Sequence, residues 1–251
     1  MIIFQYTEVY GWEAAIRGMR NPMNSWQRSD SIFCDGEGVH DICHDCVGLV
    51  AEDGKIVSAS EPFISLGKND ADLMAKLCKN GPVHAKYRRM INVTVDLTAP
   101  LYFWKEFDTY KVGTVANSCS TMHKLTEKEF VLEDFSTEHL LTATDEEVGW
   151  SDPVPILNLE GTIYALNFYR KKYIGTKDKK YWWQLIQLLP SSYNQKRTVQ
   201  LNYEVLANIY KWRKDHKLDE WRSFCSWIKT LPYSELITGE DIIIEEEKEL
   251  I

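Results

Sequence analysis

Residues 188–228 constrain the fold more than any other part of the chain, because a long apolar pattern there carries polar side chains within it. We predict one long helix, in which Asn202, Asn208 and Arg213 lie among apolar neighbours. Burying such hydrogen-bonding groups costs about a few kcal/mol each unless they find partners. A helix of this kind is typical of one that lines a binding site. The apolar neighbours are Leu201, Val205, Leu206, Ile209, Tyr210 and Trp212.

The composition indicates a globular protein with a substantial core. The chain has 251 residues, which suits one large domain or two small ones, and 44% of them are hydrophobic. The formal net charge of −8 argues against a general nucleic-acid coat, which needs a basic surface. We therefore expect no nucleic acid among the partners, although a small basic pocket for a phosphorylated metabolite remains compatible with this charge.

The chain shows no sequence signal for export or membrane insertion. Its first 18 residues lack a basic segment followed by a long apolar run, so they do not resemble a signal peptide. No apolar stretch approaches the roughly 20 residues needed to cross a bilayer. We expect a cytoplasmic protein that does not bind membranes and keeps its cysteines reduced.

The local patterns favour an α/β or α+β fold, with one domain over residues 1–251 and a central sheet flanked by helices. Residues 32–66 are interpreted as a Cys/His-containing insertion, and residues 239–251 as an acidic tail. Asn69 is the expected N-cap of one helix, and residues 126–141 suggest an acidic helix or turn region. The predicted strands cover residues 2–9 and 85–95, a hairpin spans 47–59, and helices cover 12–19, 69–79, 101–110, 160–171 and 179–189.

A cluster of thiols and imidazoles suggests two alternatives. Cys43 and Cys46 form a CxxC pair, and Cys34 and His40 would complete a tetrahedral zinc site within one short loop. The second CxxC pair that such sites usually contain is missing. Reduced structural thiols are therefore the more common explanation, and zinc is the alternative.

Arg213 admits two interpretations on spacing alone. It follows Asn202 by eleven residues, about three helical turns, so both would fall near one helix face. Its planar guanidinium suits a carbonyl edge or a phosphate. The alternative is an ordinary surface ion pair with Asp219 or Glu220, which is the commoner arrangement.

The last third of the chain resembles the flavin-dependent thymidylate synthases. That family has a leucine-proline, a threonine, two asparagines six residues apart, and an arginine eleven residues after the first asparagine. The family also has a Glu-Ile-Arg-like tail after the arginine. Residues 220–222 resemble this tail but stand one residue closer to the arginine than in the family. The matching residues here are Leu189, Pro190, Thr198, Asn202, Asn208 and Arg213.

The resemblance implies roles for these side chains. Arg213 would hold the pyrimidine of dUMP and stabilise negative charge on its ring, which would make it the catalytic residue. Asn208 would lie against the flavin, Asn202 would help to bind the cofactor, and His216 would face the flavin. The implied reaction is methylation of dUMP to dTMP, with methylenetetrahydrofolate, FAD and NADPH. Family members assemble as homotetramers.

The central signature of the family is altered in this chain. Its Arg-His-Arg falls on Tyr110, Lys111 and Val112, and its Asn-Glu falls on Asn117 and Ser118. In this register Ser120 matches the second serine, whereas a register shifted by two uses Ser118 instead. The resemblance assigns Asn117, Ser118 and Ser120 to the substrate and Lys111 to the cofactor. Basic residues that would replace some of the missing arginine charge are Lys105, Lys111, His123 and Lys124.

A basic group also precedes the second predicted strand. His84 would bind the cofactor, with Arg88 and Arg89 beside it, because the family has a histidine and basic residues near this point. A solvated basic face is the other explanation.

Three functions follow from the sequence. The first is a flavin-dependent thymidylate synthase. The second is a flavoenzyme that modifies another pyrimidine nucleotide, which the altered signature favours. The third is a nucleotide-binding relative without catalytic activity.

Overall fold

The computed structural model describes residues 2–33 and 63–242. Within these ranges the chain forms a mixed α/β fold, with an antiparallel sheet flanked by helices, which confirms the predicted fold class. The predicted hairpin at residues 47–59 and most of the acidic tail lie outside the described residues. The same holds for the four candidate zinc ligands, Cys34, His40, Cys43 and Cys46.

Six strands are present in the described residues. The main sheet has four strands in the order β1-β4-β6-β5, and the smaller sheet pairs β2 with β3 in antiparallel fashion. In β4, alternate residues from Val93 to Ala99 are buried, which is the two-residue period of a strand with one face in the core. The strands are β1 Ile3–Tyr10, β2 Ile32–Phe33, β3 Phe63–Ser65, β4 Asn92–Pro100, β5 Val115–Ser118 and β6 Asn194–Asn202.

The helices range from single turns to one of 22 residues. Short 3₁₀ turns also occur at Asn21–Met23, Trp26–Arg28, Lys86–Arg89 and Leu132–Asp134. No helix in the described part of the chain is long and apolar enough to span a membrane. The helices are α1 Trp12–Arg20, α2 Lys68–Lys79, α3 Leu101–Phe107, α4 Thr121–Lys124, α5 Pro155–Thr176, α6 Lys179–Leu188, α7 Tyr203–Arg213, α8 Asp219–Ile228 and α9 Glu235–Thr238.

The chain divides into two compact units. The first contains residues 1–5, 96–111 and 116–199. Its core includes a cluster formed by Leu125, Phe130, Phe135, Leu159, Ile163, Leu166 and Leu185. Elsewhere in this unit the guanidinium of Arg197 lies 4.2 Å above the ring of buried Trp104 and pairs with Asp108 at 2.7 Å. This arginine is therefore fixed by both stacking and charge.

The second unit contains residues 6–95, 112–115 and 200–251. Trp12 of α1 is buried there and meets Tyr203 and Tyr233 edge-on, each at 5.5 Å between ring centroids. A buried ion pair joins Arg20 and Asp70 at 2.6 Å, with both side chains almost fully excluded from solvent. Separating the two residues would leave a buried charge without its counter-ion, which is costly. The pair therefore stabilises the packing of α1 against α2.

The predicted single helix over residues 188–228 is wrong. The chain there forms the end of α6, strand β6, and the separate helices α7 and α8. Pro190 follows the end of α6, as expected for a residue that lacks an amide donor and restricts the residue before it. In β6, Gln195, Val199 and Leu201 are buried in a pattern of period two. Asn202 then starts α7 as its N-cap, a signal that the sequence interpretation placed inside a helix.

Most other predicted elements are confirmed, with shifted ends. The strand at residues 2–9 and the helices at 12–19, 69–79, 101–110, 160–171 and 179–189 correspond to β1, α1, α2, α3, α5 and α6. The strand predicted at 85–95 begins only at Asn92, after the Lys86–Arg89 turn. Asn69 is not an N-cap, because α2 starts after Gly67, and the Asn69 amide donates to Asp30 instead.

Replacing Asp70 with asparagine should lower the free energy of unfolding by about 3 kcal/mol, because Arg20 keeps its buried charge without a carboxylate to neutralise it. Burial would raise the pKa of Asp70, but hydrogen bonds from Ser31, Ser29 and Arg20 outweigh it and hold the pKa below its usual 3.8. The parent therefore has this stabilisation at pH values above 3.8 and loses it as the pH falls through the lower folded value.

Urea unfolding of parent and Asp70→Asn between pH 3 and 7 measures both effects. The difference between the two proteins should be largest near neutral pH and shrink in acid. An equal difference at every pH would show that the carboxylate charge is not what stabilises α1 against α2.

Candidate functional site

The strand-to-helix corner at Asn202 is the starting point of the candidate site. The Asn202 side-chain oxygen accepts a hydrogen bond from the Val205 amide at 3.0 Å, which satisfies one of the open donors at the start of α7. Asn202 is half-buried, and its side-chain oxygen serves the helix end. Its amide nitrogen is the group that faces the neighbouring loop.

That loop, residues 112–115, approaches the corner closely. Gly113 has φ of +76°, and a Cβ placed on it would lie 3.0 Å from the Asn202 amide nitrogen and 3.1 Å from a Val205 methyl group. The hydroxyl of Thr114 is buried and has no hydrogen-bond partner among the described residues. The corner thus combines tight backbone packing with a buried hydroxyl that could still form a hydrogen bond with a further partner.

Arg213 ends α7 and packs against α8. Its guanidinium carbon lies 4.7 Å from the ring centroid of Trp221, which is fully buried, and its side chain is half-buried. Stacking on an indole face stabilises a guanidinium and fixes its plane. On α8, Asp219 also forms an ion pair with Arg222.

His216 lies beside the same tryptophan. Its ring centroid is 6.4 Å from that of Trp221, and its Nδ1 accepts the Leu218 amide at 3.2 Å. When this imidazole is neutral, the hydrogen bond assigns its proton to Nε2. Arg213 and His216, both predicted from the sequence, are therefore brought together around Trp221. Sequence reasoning noted Trp221 only within the tail motif and assigned it no role.

The thiol of Cys225, on α8, is buried one turn from Trp221. Burial raises its pKa to about 11, the carboxylate of Asp215 adds to the increase, and the guanidinium of Arg213 opposes it. The thiol therefore stays protonated at neutral pH.

A cleft of about 370 Å³ opens along another part of α7. Asn208 is exposed in it, which differs from the buried position predicted for this side chain. Arg88 and Glu204 neutralise each other across 2.6 Å, so Lys211 and Lys214 give the cleft a positive charge. The lining residues are Pro82, Arg88, Glu204, Ala207, Asn208, Tyr210, Lys211, Lys214, Ile237 and Thr238.

The remaining predicted side chains lie elsewhere. His84 is exposed and precedes the Lys86–Arg89 turn, but it does not line the cleft. In the first unit, Lys111 is exposed beyond α3, Asn117 and Ser118 are exposed on β5, and Ser120 is half-buried before α4. Among the residues that the structure describes, no group of three or more His, Cys, Asp or Glu side chains could hold a metal.

No family model and no curated protein matches the sequence. Several solved structures are similar to this chain. Thymidylate synthase X (ThyX) from Helicobacter pylori, with FAD and dUMP, is 16% identical, with a TM-score of 0.58 over 95% of this chain and 98% of that one. A second structure of the Helicobacter pylori enzyme, complexed with FAD and dUMP, has 15% identity, the same TM-score and the same coverage.

A third solved structure is the UMP/dUMP methylase PolB from Streptomyces cacaoi, bound with 5-Br dUMP. It is 12% identical, with a TM-score of 0.53 over 96% of this chain and 95% of that one. The chain has the fold of the flavin-dependent thymidylate synthases. The resemblance inferred from the C-terminal motif is thus confirmed at the level of fold.

Replacing Gly113 with alanine should destabilise the second unit more than the matched change Gly81→Ala. Both glycines have positive φ, which costs alanine about 1 kcal/mol, but a Cβ at Gly81 would meet no atom within 4 Å. At Gly113 it would press on Asn202 and Val205, so we expect roughly 1 kcal/mol of further loss. Urea unfolding of both variants measures the difference. Equal losses would mean that the loop does not pack against the N-cap in solution.

Proposed function

We propose that this protein is a flavin-dependent thymidylate synthase, which methylates dUMP to dTMP with methylenetetrahydrofolate as the carbon donor and NADPH as the reductant. Two findings support the proposal. The fold extends over nearly the full length of structures that hold FAD and dUMP. Arg213 and His216 lie together around a buried indole at the end of α7.

The Arg213–Trp221 stack is the observation that carries the proposal. A guanidinium has five N–H donors in one plane, and the buried indole holds that plane in a defined orientation. Such a group can donate hydrogen bonds to the carbonyl oxygens of a uracil ring. It would also stabilise the negative charge that those oxygens carry when the ring is activated for alkylation, without the cost of reorienting.

His216 would act beside the arginine. Its Nδ1 is occupied by the Leu218 amide, so the neutral ring presents Nε2–H as a donor. We assign this donor to the flavin. Asn202, with its oxygen fixed on Val205, would offer its amide nitrogen to the cofactor, and Thr114 would add a hydroxyl at the same corner.

The cleft along α7 fits part of a flavin nucleotide. Lys211 and Lys214 are exposed cations that suit phosphate oxygens, and Asn208 adds an amide able to donate and accept. The volume of about 370 Å³ falls in the range usual for ligand sites. When bound, FAD supplies the hydride for the reduction, and these side chains hold and orient it.

The first unit would contribute the remaining contacts. We assign Asn117, Ser118 and Ser120 to the substrate and Lys111 to the cofactor, as the resemblance implies, and His84 to the cofactor from the second unit. The homotetrameric assembly and the cytoplasmic location stay predictions.

A second candidate function is methylation of another uridine nucleotide. The chain has Tyr110, Lys111 and Val112 where the resemblance places Arg-His-Arg. It also shares its fold with a UMP/dUMP methylase. A change of substrate is consistent with both observations.

The purified protein should be yellow, or should become so with FAD, and dUMP should shift its flavin spectrum. The chain should also restore growth of a thymidine-requiring strain without thymidine. A flavin-loaded protein that responds to UMP and fails to rescue growth would favour the second function. A protein that binds no FAD under any loading condition would contradict both enzyme proposals.

The variant Arg213→Ala should weaken dUMP binding about 10- to 100-fold, because it removes charged hydrogen bonds worth roughly 1.5–3 kcal/mol. Titration calorimetry on the FAD-loaded protein measures the loss. Arg17→Ala is the matched control, since Arg17 is exposed on α1 and pairs only with Glu13 among the contacts described. Unchanged dUMP affinity in Arg213→Ala, with the fold intact by circular dichroism, would contradict the assignment.

A further inference from the structure

Both backbone polar groups of Cys119 are bound by strand β6. Cys119 follows β5, and its amide donates to the Lys196 carbonyl at 3.0 Å. Its carbonyl oxygen accepts a hydrogen bond from the side-chain Nε2 of Gln195 at 2.7 Å. The first bond holds the peptide group that joins Ser118 to Cys119, and the second holds the peptide group that joins Cys119 to Ser120. Strand β6 therefore sets the orientation of the backbone at both serines.

Gln195 is a buried amide whose two ends have different partners. The residue is only 8% exposed, and its Oε1 accepts a hydrogen bond from the Nε of Arg197 at 3.0 Å. A guanidinium can donate but not accept, so it requires the amide oxygen on its own side. The amide NH₂ group is thereby turned toward the Cys119 carbonyl, which can only accept. Arg197 thus determines which end of the Gln195 side chain reaches Cys119.

Arg197 is in turn fixed by α3. Its guanidinium carbon lies 4.2 Å from the ring centroid of Trp104, and its Nη1 donates to the Asp108 carboxylate at 2.7 Å, just beyond the end of the helix. The indole of Trp104 also donates to the Gln195 backbone carbonyl at 3.0 Å. A chain of hydrogen bonds therefore runs from Asp108 through Arg197 and Gln195 to Cys119, and all four residues belong to the first unit.

This polar chain does more than fill space. Apolar side chains in place of Gln195 and Arg197 could pack there without the cost of removing an amide and a charge from water. A fully bonded polar network instead specifies one arrangement of the groups at its ends. The group at this end belongs to an exposed segment, because Asn117, Ser118 and Cys119 are all open to solvent. A fixed backbone in an exposed segment is what a binding site requires.

We propose that Gln195 and Arg197 are positioning residues, which hold residues 117–120 in the conformation that binds the nucleotide substrate. The inference rests on the proposed function, which assigns Asn117, Ser118 and Ser120 to that substrate. Both positioning residues act through the Cys119 carbonyl rather than by contact with the nucleotide. Their replacement should therefore weaken nucleotide binding and leave the affinity for FAD unchanged.

The variant Gln195→Glu tests this role. At pH 8 the guanidinium of Arg197 keeps the new carboxyl group ionised, so the variant retains that partner but turns an acceptor toward the Cys119 carbonyl. The affinity of the FAD-loaded protein for its nucleotide should fall about 10-fold, because one buried hydrogen bond becomes a contact between two acceptors. Titration calorimetry with dUMP, and with UMP in parallel, measures the loss, and flavin absorbance measures the affinity for FAD.

Gln200→Glu is the matched control on the same strand. The Gln200 amide donates to the Tyr10 hydroxyl. Because a hydroxyl can also donate, it can keep its bond to a carboxylate, whereas the Cys119 carbonyl cannot. The control should bind FAD and the nucleotide as the parent does.

Amide hydrogen exchange gives a second measurement that needs no ligand. Gln195→Glu should speed exchange in peptides that cover residues 117–120 and leave exchange in α5 at the rate of the parent. Arg197→Met provides a second variant that decides the matter if Gln195→Glu does not fold. Its unbranched side chain can still cover Trp104, but the Gln195 amide is free to turn, so nucleotide affinity should fall about 3-fold.

Two results would overturn the positioning role alone. The first is nucleotide affinity equal to that of the parent in both variants, and the second is unchanged exchange of residues 117–120. A parent that binds FAD but neither dUMP nor UMP would instead contradict the proposed function, and the positioning role with it. Loss of FAD affinity in step with nucleotide affinity would also count against the role, because it would indicate general damage to the fold.

Discussion

The hydrogen bond between the Asn202 side chain and the Val205 amide decides where the chain changes from strand to helix. It ends β6, the strand between β4 and β5, and starts α7 at Tyr203. Asn208 and Arg213 then follow at fixed positions along one rigid helix, and His216 follows just beyond it. A helix that began one residue earlier or later would rotate each of these side chains by about 100°. The geometry of the candidate site is therefore set at its first residue.

A second constraint is the buried indole of Trp221. It supports Arg213 from α8 and has His216 at its edge, so two polar side chains from the α7–α8 segment share one apolar platform. The first unit contains a similar arrangement, in which Arg197 lies over Trp104 and pairs with Asp108. In both places a buried indole fixes the plane of a guanidinium.

Local patterns predicted the elements that have clear ends. Helix α2 stops before Gly81, and α3 carries a run of aromatic residues, so both were found from the sequence. The segment from β6 to α8 was not, because its apolar residues fit a helical period almost as well as an alternating one. Asn202 was the available signal for the boundary, and it was interpreted as a buried polar group. The fold class could be predicted because it depends on the order of the helices and strands. Errors of a few residues at the ends of these elements do not change that order.

The sequence could indicate which candidate side chains lie close together only where spacing along the chain equals spacing in the structure. Arg213 and His216 are three residues apart, so their proximity follows from local geometry. Trp221 belongs to the next helix, and its position under Arg213 depends on how α7 packs on α8. The altered signature at residues 110–112 did not indicate which side chains contact a ligand, because Lys111 is exposed and the two residues beside it carry no charge. Packing between separate elements is the information that one sequence, taken alone, did not provide.

Cys225 has a consequence for the type of catalysis that this region can support. With its pKa raised to about 11 by burial, this thiol is almost entirely protonated at pH 7. A covalent adduct between this sulfur and a nucleotide ring would need the rare anionic form, and burial shields even that form from solvent. We therefore expect carbon transfer near the α7–α8 corner to proceed without an attacking sulfur from α8. This thiol should also survive alkylating reagents that label the exposed Cys119.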